Sequence, residues 1–140
     1  MADLDTVIDE LTTVLAAVDG IALAPTTPPE QLGELPMAVT YIGEGEFNYA
    51  ASLGCIGLHT LVVDIHVGRS FLEEDEPVAR EFIESVPKAV AGNMQMNGSC
   101  EHCLVRNYRY GRLGYGAEKT MGIRFQLEVK LKHSGFTITA

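Results

Sequence analysis

Cys100-Glu-His-Cys103 is the run in this chain whose residue types and spacing come nearest to metal or redox chemistry. A zinc site needs four ligands and a lone CxxC supplies two, so Cys55, His59 or His102 would have to complete it. His102 stands between the two cysteines, where it tends to point away from them. The pair also precedes a strand, whereas a thioredoxin-like couple opens a helix after one. Reduced cysteines in a loop are the simpler reading, with a small metal-binding or redox domain centred on Cys100 and Cys103 as the alternative. His59, Asp64 and His66 fall on one predicted strand, where only Asp64 and His66 share a face by parity. They could bind a metal or relay a proton, but a solvated or interface-facing strand surface accounts for them more simply. Glu73, Glu74, Asp75 and Glu76 resemble a cation site, yet they lie where acid stabilises a helix N-terminus. The chain has no phosphate-cradling glycine loop, nucleophile elbow or HExxH, so we expect no enzyme, no catalytic or metal residues and no cofactor.

A different kind of chemistry is carried by Tyr108, Arg109, Tyr110, Arg112 and Tyr115, interleaved with Gly111, Gly114 and Gly116. Tyrosine and arginine are enriched where protein surfaces meet. The same residues could equally stabilise an internal hairpin through cross-strand aromatic pairs. Stacking on nucleic acid is disfavoured by a net charge of −9, because phosphate neutralisation needs a basic surface. The distribution of charge is informative: residues 1–68 hold ten acids and no Lys or Arg, while residues 101–140 hold three acids and seven bases. Two such halves either neutralise each other within one subunit or let copies dock head to tail, and head-to-tail contacts close into rings when the rotation permits.

These side chains need elements to hold them. A chain of 140 residues, 46% apolar, is expected to be one domain (residues 1–140) with one core. Its acidic first residues and the lack of a bilayer-length apolar run predict a soluble, cytoplasmic protein with no membrane partner, and three cysteines argue against a disulfide framework. The central stretch is Gly122 to His133, where Ile123, Phe125, Leu127, Val129 and Leu131 alternate with Arg124, Gln126, Glu128, Lys130 and Lys132. That period of two predicts a strand of about 40 Å, long enough to cross the sheet or overshoot its edge. Leu4, Val7, Ile8, Leu11, Val14, Leu15 and Val18 predict an amphipathic helix capped by Asp3 and ended by Gly20. A proline-stiffened connector over 24–30 follows, then a strand over 35–49 bulged near Gly43 and Gly45, a short loop, and a strand over 55–69 with Leu61, Val63, Ile65 and Val67 on one face. The second helix covers 72–93, with Pro77 near its first position and Pro87 kinking or restarting it. A tyrosine-rich strand over 104–112, a glycine-broken turn over 113–120 and a frayed tail over 134–140 complete the reading. The order helix, two strands, helix, two strands is an α+β fold: a mostly antiparallel sheet with both helices packed on one face.

This arrangement resembles the tail terminator, or tail completion, proteins of long-tailed bacteriophages. The resemblance runs from Leu4 to Lys132 and is carried by the N-terminal helix, LHTLVVDIHVGR (Leu58 to Arg69), the acidic-start helix, and YRYGRLGYGAEKTMGIRFQLEVKLK (Tyr108 to Lys132). It implies a structural virion protein of the tail neck, assembled in the host cytoplasm. Such a protein forms a ring, usually a hexamer, that caps the tail tube protein, stops tube growth and joins the head–tail connector protein. Genomic DNA would pass through the lumen without specific binding, since an acidic wall repels the phosphate backbone. Subunit or partner contacts are expected from Glu44 and Glu46 at the bend, Tyr108, Arg109, Tyr110, Arg112 and Tyr115, and Arg124, Glu128 and Lys130 on the polar face of the last strand. The CxxC has no place in the family's pattern.

Overall fold

The computed structural model describes residues 3–50, 54–69 and 72–133. The expected tail over 134–140 and most of the loop after residue 50 lie outside the described residues. Element order is α1 (Leu4–Ala16), β1 (Met37–Ala50), β2 (Gly54–Gly68), α2 (Leu72–Ala91), β3 (His102–Tyr115) and β4 (Glu118–His133). The four strands form one antiparallel sheet in the order β1-β2-β4-β3, the α+β architecture anticipated from the pattern.

Helix α1 forms because its apolar residues recur every three or four positions and Asp3 caps it, accepting a 2.8 Å hydrogen bond from the Thr6 amide. It stops at Ala16, earlier than the stripe suggests, with Ala17 as the C-cap. Val18 still packs into the core, and Gly20, at φ +94°, turns the chain beyond it. Helix α2 starts at Leu72, which puts Pro77 in the second turn, and is one continuous helix through Pro87 to Ala91, so of the kink or restart expected at Pro87 the restart does not occur. Its Phe82, Val86 and Val90 meet Val7, Leu11 and Leu15 of α1 over Leu61, Val63 and Ile65 of β2.

Strand β4 is the centre of this core. Ile123, Phe125, Leu127, Val129 and Leu131 are 0–1% exposed, and each such burial stabilises by about 1.5–3 kcal/mol. Because β2 lies on one side of β4 and β3 on the other, β4 has no free edge, and the possibility that it overshoots to invite a neighbour is removed. The outer strands are β1 and β3; each is bonded at its start by connecting chain, Ala38 N–H to the Leu23 carbonyl and Cys103 N–H to the Met94 carbonyl, and beyond that the edge has no backbone partner among the described residues. β1 carries the expected bulge, a register shift between Ile42 and Gly45. β3 is longer than its glycines suggested: pairing continues through Gly111↔Gly122, Leu113↔Thr120 and Tyr115↔Glu118, so the turn shrinks to Gly116 and Ala117. Buried Leu113 anchors this extension, while nothing lies within 4 Å of where a Cβ would stand on Gly111 or Gly114.

The connector before β1 is a strap. It crosses the sheet face opposite the helices, where Leu32 packs with Met37 and Val39 and is joined by Leu35, Tyr41 and Tyr115 in a second, smaller core.

Candidate assembly surfaces

The strap divides the helix-free face into a covered end and a bare end, and the ten residues expected at subunit contacts divide with it. Under the covered end, Asp64 is fully buried and holds Arg124 by two hydrogen bonds of 2.8 and 2.9 Å. The carboxylate raises the guanidinium's pKa, and beside the pair the Tyr41 phenol is pushed up to about 12, by burial first and then by Asp64. His66 is also fully buried, its Nδ1 2.6 Å from Thr120 Oγ1 and its ring edge-on to Tyr115. Burial lowers its pKa and favours neutral imidazole. The solvated or interface-facing surface expected for Asp64 and His66 is thus replaced by an interior. The strap accounts for the difference, because it brings Leu32 and Leu35 onto a face that alternation alone would leave open. Tyr115 fastens it by donating its hydroxyl to the Pro29 carbonyl, and Glu118 accepts from the Leu32 amide and from Arg69.

At the bare end, Glu128 accepts from Arg106 and lies 2.8 Å from His102 Nε2, with both contacts lowering its pKa. His102 does point away from the cysteines, as its position between them implied. Lys130 is half-buried on the same face by parity. Tyr110 turns to the other side of the sheet and packs against the main core, where its buried hydroxyl has no hydrogen-bond partner among the described residues. Of the ten, then, Tyr110, Tyr115, Arg124 and Glu128 are engaged within the protomer, and Tyr108, though exposed, sets its ring 6.4 Å from that of Phe125.

Apart from Lys130 on the inner strand β4, the remaining side chains of the ten stand on the two sheet edges. Glu44 and Glu46 are exposed on β1 at the bulge, beside Ile42 (71% exposed), Phe47 and Tyr49. Arg109 and Arg112 are exposed on β3 beside Tyr108 (52% exposed). Arg109 lies directly across from Arg124 in the β3–β4 register, a like-charge pair that would be unfavourable if both arms stayed together. Asp64 draws Arg124 away and leaves Arg109 outward. Among the described residues neither Glu44, Glu46, Arg109 nor Arg112 makes a side-chain hydrogen bond or ion pair. A recess of about 400 Å³ opens at the bulge, lined by Glu44, Gly45, Glu46, Leu58, His59, Thr60 and Glu128.

The CxxC is divided between a loop and β3. Cys100 Sγ contacts the Met94 carbonyl at 3.6 Å, and Cys103 lies inside β3 with its thiol in the main core, not in the expected loop. Burial pushes the thiols up to about 11 and about 12, keeping both protonated and poorly suited to ligate a metal or attack a disulfide. Among the described residues no group of three or more His, Cys, Asp or Glu side chains is placed to hold a metal ion. What pattern reasoning missed is the Asp64–Arg124 pair. Its signal was an acid inside the apolar run from Leu61 to Val67, since a carboxylate buried there requires a cation to face it.

No protein-family model and no curated protein matches the chain. Among solved structures it is similar to a chain of the virion of a native gene transfer agent (GTA) particle, at 14% identity over 93% of this chain and 95% of that one, with a TM-score of 0.45. A likeness at that level assigns neither family nor role.

Proposed function

We propose that this chain is a structural virion protein, not an enzyme, whose copies join head to tail into a ring, most simply a hexamer, at the end of a phage tail tube. The ring terminates tube growth, offers one face to the tail tube protein and the other to the head–tail connector protein, and lets genomic DNA through its lumen without specific binding. The observation that carries this reading is the pair of outer sheet edges of opposite charge, open among the described residues beyond the first residues of β1 and β3. Glu44 and Glu46 mark the β1 edge, Arg109 and Arg112 the β3 edge, and β2 and β4 lie between them. An edge strand has unpaired backbone groups that template another strand. Here each edge also carries exposed aromatic side chains of the kind that anchor interfaces, Phe47 and Tyr49 on one side and Tyr108 on the other. A surface whose complement lies on its own far side makes heterologous contacts, which close into a ring or run on as a filament.

Reversing both arginines (Arg109→Glu with Arg112→Glu) tests the assignment. The protomer should keep its circular dichroism spectrum and melting temperature while its self-association, or its seating on tail tubes, weakens at least about tenfold. Assembly indistinguishable from wild type would remove these residues from the interface.

A further inference from the structure

Beyond the helices, at the far end of the sheet, two imidazoles meet. His59 on β2 and His133, the last described residue of β4, place their Nε2 atoms 2.8 Å apart, with ring centroids at 5.1 Å and planes at 78°. Nitrogens so close with centroids so far apart mean that the rings meet head-on, one donating N–H to the lone pair of the other. This is not a chelate. Two imidazoles on one ion aim at a common third point about 2.0–2.1 Å from each nitrogen, not at each other.

Three strands build the seat. A Cβ on Gly57 would stand 2.4 Å from His59 Nε2 and 2.6 Å from His133 Nε2, so the rings can meet only because β2 has glycine there. A Cβ on Gly45 of β1 would come within 2.7 Å of His59 Nδ1. Phe47 of β1 packs on both rings, at centroid distances of 5.4 and 5.3 Å. The contact ties the end of β4 to β2, where Cys55 pairs with His133, and ties both to β1.

A head-on pair needs a single proton between its facing nitrogens. One further proton can settle on an outer nitrogen and leave the contact as a charge-assisted bond, but once both rings are imidazolium two N–H groups point at each other, and attraction turns to like-charge repulsion. Among the described residues, Tyr49 on β1 and Cys55 on β2 share the seat's face of the sheet, Glu44 stands in the β1 bulge, and Glu46, Glu128 and Lys132 lie on the other face by alternation. Glu44, Glu46 and Glu128 line the recess that His59 borders, and none of them forms an ion pair with His59. Burial lowers the pKa of His59 first, and His133 lowers it further.

We propose that His59 and His133 form a proton-operated latch, which holds the far ends of β1, β2 and β4 together while one proton lies between their facing nitrogens and releases them when both rings are protonated. The linkage has one sign. A histidine lowered below its ordinary 6.5 contributes stability that is fully present above that value and is lost as pH falls through the lowered one. The latch is made within the single protomer, and its test reads the protomer directly.

The test is amide hydrogen exchange on the whole protein, corrected for intrinsic rates, at about pH 7.5 and about pH 5. In the wild type, protection over 54–59 and 129–133 should fall by at least about tenfold at the lower pH. In His59→Gln these amides should be loosened already at the higher pH and show no further pH-linked loss, while 64–68, around His66, behave as in the wild type. Imidazole titration by NMR on the wild type needs no variant, and there the two rings should titrate as one coupled pair. Independent titrations, or protection unchanged between the two pH values, overturn the proposal. So does a His59→Gln variant that keeps the wild-type pH response.

Discussion

The covered end of the helix-free face and the two sheet edges hold the same kinds of residue, charged groups and tyrosines, and use them in opposite ways. Under the strap, Arg124 is spent on Asp64, Tyr115 on the Pro29 carbonyl and Glu118 on Arg69 and the Leu32 amide. On the edges, Glu44, Glu46, Arg109 and Arg112 face outward with no side-chain hydrogen bond or ion pair among the described residues. The difference teaches that polar residue type does not decide role here. What decides it is whether a second layer of chain lies over the side chain. Charge under a cover must find a partner within the protomer, while charge on an uncovered edge is available to another molecule.

Substitutions should separate the two regions by what they damage. Arg124→Ala leaves Asp64 buried and unpaired and should cost about 3 kcal/mol, the low end for a broken buried pair, because Arg124 itself is 38% exposed. Denaturant unfolding measures it, and a loss below about 1 kcal/mol would mean that solvent reaches Asp64 under the strap. Tyr115→Phe keeps the ring against His66 and removes only the hydroxyl donated to Pro29, for a loss of about 1 kcal/mol seen mainly as faster amide exchange in the strap. Glu128→Gln weakens half-exposed contacts to Arg106 and His102 and should change stability by less than about 1 kcal/mol. Glu44→Lys with Glu46→Lys should leave stability within about 0.5 kcal/mol and act only on association. An edge substitution that unfolds the protomer, or a strap substitution that spares it while abolishing association, breaks the comparison.

The main fold was legible because its signals are periodic. The alternation from Gly122 to His133 and the three- and four-residue steps from Leu4 to Leu15 each bury the face they predict. The bulge near Gly43 and Gly45 was legible too, since two glycines inside a strand pattern mark a break in register. The strap was not. Residues 24–36 have no period, and Leu32 and Leu35 are ordinary loop residues until Met37 and Val39 are seen turned toward them. Without the strap, Asp64 and His66 read as surface. The glycines at Gly111 and Gly114 misled in the other direction: glycine marks turns, but an exposed edge strand tolerates it because no side chain is needed there to pack. The split of charge between the first half and the last quarter of the sequence was visible from the outset. Its placement on opposite edges required the order β1-β2-β4-β3, which puts the last strand inside the sheet.

The head-to-tail claim is tested most directly by the solution mass, from sedimentation velocity, of four proteins measured side by side over a range of concentrations, alone and with tail tube rings. These are the wild type, Glu44→Lys with Glu46→Lys, Arg109→Glu with Arg112→Glu, and the chain carrying all four changes. The account predicts that the wild type associates, that each charge-reversed pair fails to, and that the fourfold variant regains association because its exchanged edges again complement each other. A wild type that keeps a protomer's mass throughout, or a fourfold variant no better than either pair alone, would contradict it.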